Sequence, residues 1–276
     1  MTRIALGIEY DGSAFQGWQS QPHGNSVQDA LELALSQVAG ERLRVVCAGR
    51  TDAGVHALNQ VAHFDCSVAR PDTAWVRGSN ALLPPQVAVR WVRTVDERFH
   101  ARFDAISRSY VYLLHNHPVR PALLHGRIGW HHRPLDTDAM QIAAPALLGE
   151  HDFSAFRAAE CQAKSPVKIM HRADVRRQGD LIVFEFRASA FLQHMVRNIV
   201  GALARVGTRD ALVYIGLGRQ PPTSIAELLA GRDRTLAAPT FSPAGLYFAD
   251  VEYAPHWNIP AVESMIPNLL SLAPNP

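Results

Sequence analysis

Lysine is nearly missing from this chain of 276 residues: of 27 basic residues only Lys164 and Lys168 are lysines, and the others are arginine. Planar guanidinium forks suited to phosphate, carboxylate and base-stacking contacts are therefore plentiful, although a codon bias of the source genome explains the preference equally well. Net charge is also small. A formal value of +2 does not by itself announce a nucleic-acid binder. Cysteine is scarce: Cys47, Cys66 and Cys161 form no CxxC pair and no disulfide framework, which fits a reducing cytoplasm. No apolar run is long enough to span a bilayer, and no charged-then-apolar leader opens the chain, so a cytoplasmic protein without membrane attachment is expected. The 13 histidines fit no zinc spacing, and no cysteine pair supports one, so no metal is expected. No G-x-G-x-x-G follows the first strand, leaving a dinucleotide cofactor without support. G-x-S-x-G, the nucleophile elbow of many hydrolases, is absent too. What is present, 47% hydrophobic and 19% charged residues, is the composition of a soluble globular protein with one large or two smaller domains.

Periodicity supplies the elements. Residues 3–10 read as a first strand. Asn25 is placed to cap a helix in which Val27, Ala30, Leu31, Ala34, Leu35 and Val38 share one face, and Gly40 stops it. Residues 43–47 and 59–64 read as strands, 72–83 as a helix ended by Pro84-Pro85, and 87–95 and 107–115 as strands. A helix is expected over 135–148, and a hairpin from 169–176 and 181–187 around Gln178-Gly179-Asp180. A mostly buried helix is expected over 190–206 and a short one over 224–230. The order predicts an α+β fold of two related halves, with mixed or antiparallel sheets, helices packed on one face and an active-site cleft between the halves. Residues 1–104 form the first half, 105–254 the second and 255–276 a Pro-rich tail. Residues 210–222 read as a loop.

The most informative stretch is Ala48 to Ala57, AGRTDAGVHA. Glycines bracket a turn between two apolar strands, a rigid mount for Arg50, Thr51 and Asp52. An ordinary turn would use Asp52 to bond its own backbone, and residue types alone do not separate the two roles. On one face of the 107–115 strand lie Arg108, Tyr110 and Tyr112, a platform for a flat base or a cross-strand aromatic pair. In the helix FLQHMVRNIVG, Arg197 falls on the narrow polar side, where it caps an internal carbonyl or pairs with an acid.

Together AGRTDAGVHA, Arg108-x-Tyr110-x-Tyr112, Asp152-Phe153-x-x-Phe156-Arg157, FLQHMVRNIVG and Gly245-Leu246-Tyr247 resemble the TruA family of tRNA pseudouridine synthases over nearly the whole chain. The resemblance implies isomerisation of uridine to pseudouridine at positions 38, 39 and 40 of the tRNA anticodon stem and loop, without cofactor, by a homodimer. It implies Asp52 as the catalytic carboxylate, Arg197 as its ion-pair partner and Tyr110 against the target base. Arg50 and Arg108 become substrate-binding residues. A hydrolase using Asp52 and His56, and a non-catalytic module for structured RNA, are the competing readings.

Overall fold

The computed structural model describes residues 1–22, 24–208 and 221–260. Most of the loop expected at 210–222, and the expected tail from 261 onward, lie outside the described residues. In chain order the elements are β1 (Thr2–Tyr10), α1 (Val27–Ala39), β2 (Val46–Cys47), β3 (His56–Cys66), α2 (Asp72–Leu82), β4 (Val87–Val95) and β5 (Ala105–Asn116). There follow β6 (Gly129–His131), α3 (Thr137–Ala143), β7 (Gly149–Asp152), β8 (Val167–Gln178), β9 (Leu181–Ala188), α4 (Met195–Gly207), α5 (Ser224–Gly231) and β10 (Leu246–Tyr253). Parallel and antiparallel pairs both occur, so the fold is α+β with mixed strand pairing. The chain clusters into two compact units. One comprises Met1–Arg108 and the segment beginning at Tyr247, the other Ser109–Leu246.

In the first unit the strand order is β4-β1-β3-β10, with β2 also on β3. β1 runs antiparallel to both neighbours, and its inner residues Ile4, Ala5, Leu6 and Ile8 are buried. β10 joins β3 in parallel, with Tyr247 opposite His56 and Phe248 opposite Ala57. The apolar face of α1 (Val27, Leu31, Ala34, Leu35) is buried as its spacing predicts. The helix is capped one residue later than expected. Ser26 rather than Asn25 accepts from the Asp29 N–H at 3.1 Å and returns its own hydroxyl to the Asp29 carboxylate at 2.6 Å. Gly40, at φ 78°, ends it in the left-handed conformation.

The second unit contains β5, β9, β8 and β7 in that order, with β6 parallel to β5. β8 and β9 form the expected hairpin, closing at Gln178 opposite Leu181 around Gly179, whose φ is 57°. The helix expected over 135–148 is an α-helix only to Ala143 and continues as a 3-10 turn over Ala144–Leu147 that accommodates Pro145. Asp136 caps it, accepting from the Ala139 N–H. α4 begins at Met195 and not at 190, because His194 sits at φ 61°, a left-handed conformation that an α-helix cannot contain. Most of α4 is buried, including Ile199, Val200 and Leu203.

Candidate active site

The Asp52 loop is held from below by its own strands. β2 is only two residues long and pairs Val46 with His63 and Cys47 with Ala62. The Ala48 N–H then donates to the Val61 carbonyl at 2.8 Å. Next, the fully buried Gln60 closes both backbone groups of Gly49: its amide nitrogen donates to the Gly49 carbonyl at 2.6 Å, and its amide oxygen accepts from the Gly49 N–H at 3.4 Å. A side chain at Gly49 would press into the Phe248 ring. Thr51 is buried, its hydroxyl 2.7 Å from that of Tyr10. Asp52, half-buried, opens a turn closed by the Val55 N–H on the Asp52 carbonyl at 3.1 Å. Gly54, at φ 77°, supplies the left-handed residue of that turn.

From the other side the loop is clamped by residues 11–18. The Trp18 N–H donates to the Thr51 carbonyl at 2.9 Å, and the Gly54 N–H donates to the Phe15 carbonyl at 3.3 Å. Gly17, at φ 93°, permits this approach, since a Cβ there would lie 2.8 Å from the Thr51 oxygen. His56 fastens the far end. The Gly12 N–H donates to its Nδ1 at 3.1 Å, the Asp11 carboxylate lies 3.2 Å from the same nitrogen, and the ring stacks on Tyr247 at 4.7 Å. One nitrogen cannot accept from Gly12 and donate to Asp11 together, so whether Nδ1 carries the ring hydrogen selects between them.

Charge gathers nearby. Arg50 is exposed. The half-buried Arg108 donates to the carbonyls of Ala48 (3.2 Å), Ala105 (3.0 Å) and Arg102, tying the root of the loop to residues 99–105. Burial pushes the Cys47 thiol up to about 12 despite the guanidinium groups of Arg50 and Arg102, so Cys47 is an inert core residue. Burial likewise holds the Tyr10 phenol well above its ordinary value.

The second unit carries the other expected residues. Tyr110 on β5 is buried, with its ring edge-on to Phe191 at 4.9 Å. Tyr112, two residues on, donates to the Ser242 carbonyl at 2.9 Å and packs on Phe184 and Phe241. Its phenol is raised by burial, with the Arg197 charge opposing the shift. Arg197, half-buried in the first turn of α4, donates from Nε to the Phe241 carbonyl at 2.7 Å and accepts the Phe241 N–H on its own carbonyl at 3.3 Å. Beside it the fully buried Asn198 donates to the Phe156 carbonyl and accepts from Arg234 and Thr240. Arg197 is thus presented on a braced helix end.

Four contributors escape a linear reading: Gly12, Gly17, His56 as a fastener, and Gln60. Gly12, Gly17 and His56 act across more than 30 residues and Gln60 across 11. The only signal in the sequence is indirect, Gly12 and Gly17 bracketing Phe15 just before Trp18.

Comparison with known proteins follows the same residues. A family model described as "tRNA pseudouridine synthase" matches residues 7–104 and 143–254. A protein of Dechloromonas aromatica named tRNA pseudouridine synthase A is 63% identical over 258 residues, covering 94% of this chain and 95% of its own. Proteins of the same name from Methylobacillus flagellatus and Paraburkholderia xenovorans are 60% and 55% identical. They cover 95% and 96% of this chain, and 97% and 94% of their own lengths. Matches of this depth over most of the chain leave one conclusion: the chain belongs to the tRNA pseudouridine synthase family.

Proposed function

We propose that this protein isomerises uridine to pseudouridine in the anticodon stem and loop of tRNA, at positions 38, 39 and 40, with Asp52 as the catalytic carboxylate. The observation that carries the proposal is the pairing of near-full-length relatives named tRNA pseudouridine synthase A with a carboxylate loop fixed on every side. In the reaction the uracil N1 to ribose C1′ bond breaks, the base turns in place, and C5 bonds to C1′. The C5 proton leaves and N1 regains one, so no electrons are exchanged and no group is lost.

Asp52 acts by attack on C1′, by attack on C6, or by removal of the ribose 2′ proton, and each route needs it ionised. Seclusion from water opposes ionisation and a guanidinium favours it. Arg197 is assigned that role, and its bonds to Phe241 support it by fixing where the guanidinium starts. Tyr110 is assigned to the target base, through its ring and its phenol. The base must leave its stack, at a cost of about a few kcal/mol, and Arg50 is assigned to the vacated space. Arg108 serves the substrate from the same unit as Arg50. The protein works as a homodimer in the cytoplasm. His56 is engaged with Asp11, Gly12 and Tyr247, a fastening role that favours the synthase over a hydrolase with His56 as orienter.

The test is conversion of a tRNA transcript by wild type and Asp52→Asn, with pseudouridine read by base-specific adduct formation and primer extension. Product at the anticodon arm from the wild type alone is expected. Product from neither protein, or from both, overturns the assignment.

A further inference from the structure

We infer that Phe103, with His100 stacked on it and Arg102 over it, is a platform for an unpaired base of the bound RNA, beside the catalytic loop. The inference rests on the RNA substrate proposed above. Phe103 is 76% exposed, the most exposed aromatic residue among those described. The His100 imidazole covers one of its faces at 4.2 Å and 27°. That imidazole is fixed: its Nδ1 accepts from the N–H groups of both Arg102 and Phe103 at 3.2 Å. The Asp104 carboxylate is occupied inside the loop, accepting from the His100 N–H at 2.7 Å. The Arg102 guanidinium lies over the Phe103 ring, 5.9 Å from its centre, so the ring already carries a cation.

Behind the platform is a cluster of rings in edge-to-face contact. His63 meets His100 at 4.9 Å, and the fully buried Phe99 meets His63, Tyr253 and Trp257. Through Arg108 the Arg102 carbonyl shares one guanidinium nitrogen with the Ala48 carbonyl, at the root of the Asp52 loop. The loop closes through backbone and His100 bonds, so its fold does not require an aromatic side chain at 103. A flat ring that is mostly exposed, with a guanidinium over it at 5.9 Å, has the chemistry that accepts a nucleobase and its phosphate. A second protein chain fits less well. Phe103 and the neighbouring exposed Ile106 offer one ring and one short side chain, far below the roughly 800 Å² per partner of a stable interface.

The experiment is steady-state kinetics on the tRNA transcript with Phe103→Ser and Phe103→Trp, alongside thermal melting and sedimentation. Phe103→Ser is expected to raise KM between about 5- and 150-fold, the loss of one base stack, with kcat and melting temperature unchanged. Phe103→Trp is expected to restore KM. A wild-type KM in Phe103→Ser overturns the platform, as does a KM rise accompanied by a change in sedimenting mass. Wild-type protein that makes no pseudouridine strikes the activity alone. The platform is then judged by fluorescence anisotropy with the same RNA, where Phe103→Ser must weaken binding by a similar factor.

Discussion

Gln60 has no access to solvent, and its amide serves both backbone groups of one glycine. A buried polar pair is cheap when complete and costly when halved. Gln60→Leu removes both partners of Gly49 and leaves a peptide N–H and C=O facing hydrocarbon, at about 1–3 kcal/mol for each orphaned group. The expected outcome is a lowered urea midpoint together with a fall in turnover, since Gly49 leads directly into Asp52. A variant that loses stability and keeps full turnover would separate Gln60 from the placement of the loop. No sequence pattern identifies this residue. A glutamine in an apolar strand reads as an interruption, and its meaning appears only when an amide 11 residues upstream lies against it.

Among elements, β3 does the most to position the site, and His63 on it is the sensitive point. Its side chain is buried, accepts the Ala101 N–H on Nδ1 at 3.2 Å, and has its ionisation lowered to about 4, first by burial and then by the charges of Arg3 and His100. Asp65 and Asp104 oppose that shift. A histidine that resists protonation in the fold, but accepts a proton near 6.5 when unfolded, makes the unfolded state the better proton acceptor between those values. Stability from this group is therefore complete above about pH 6.5, declines as pH falls towards 4 and levels off below. The melting temperature of wild type is expected to fall across that window more steeply than that of His63→Gln. Parallel curves would remove His63 from the account.

The elements themselves were largely legible. Apolar spacing located α1, α2, β4, β5 and the β8–β9 hairpin within a few residues. Their ends were less so, since ends depend on single backbone angles and single side chains. His194 turns left-handed where the apolar spacing of 190–206 continues, and Ser26 outcompetes Asn25 because Asp29 lies within its reach. The apolar pattern at 43–47 yields only the two-residue β2, as Leu43 and Val45 are buried without ladder partners.

At the scale of the whole molecule, the first unit is finished by the end of the chain. β10 brings Tyr247 onto His56, Phe248 under Gly49, Asp250 to Asn59 at 2.8 Å, Glu252 to Ser107 at 2.7 Å and the Tyr253 phenol to the Ala101 carbonyl at 2.6 Å. Burial of Tyr247, Phe248 and Val251 alone contributes about 2 kcal/mol each, a large share of the roughly 5–15 kcal/mol that holds a domain together. A chain stopped after Gly245 is expected to lose its cooperative thermal transition and all activity. A sharp melt with wild-type turnover would show that β3 does not need its parallel neighbour. The parallel pairing leaves no mark in the sequence.

That late strand also sets a timetable for biosynthesis. The ribosome releases the Asp52 segment early, yet the piece that seats it is translated about 145 residues after Arg108, a lag of roughly 7 to 30 s at about 5–20 residues per second. Throughout that interval the nascent polypeptide lacks the parallel neighbour of β3 and the rings that lie against His56 and Gly49.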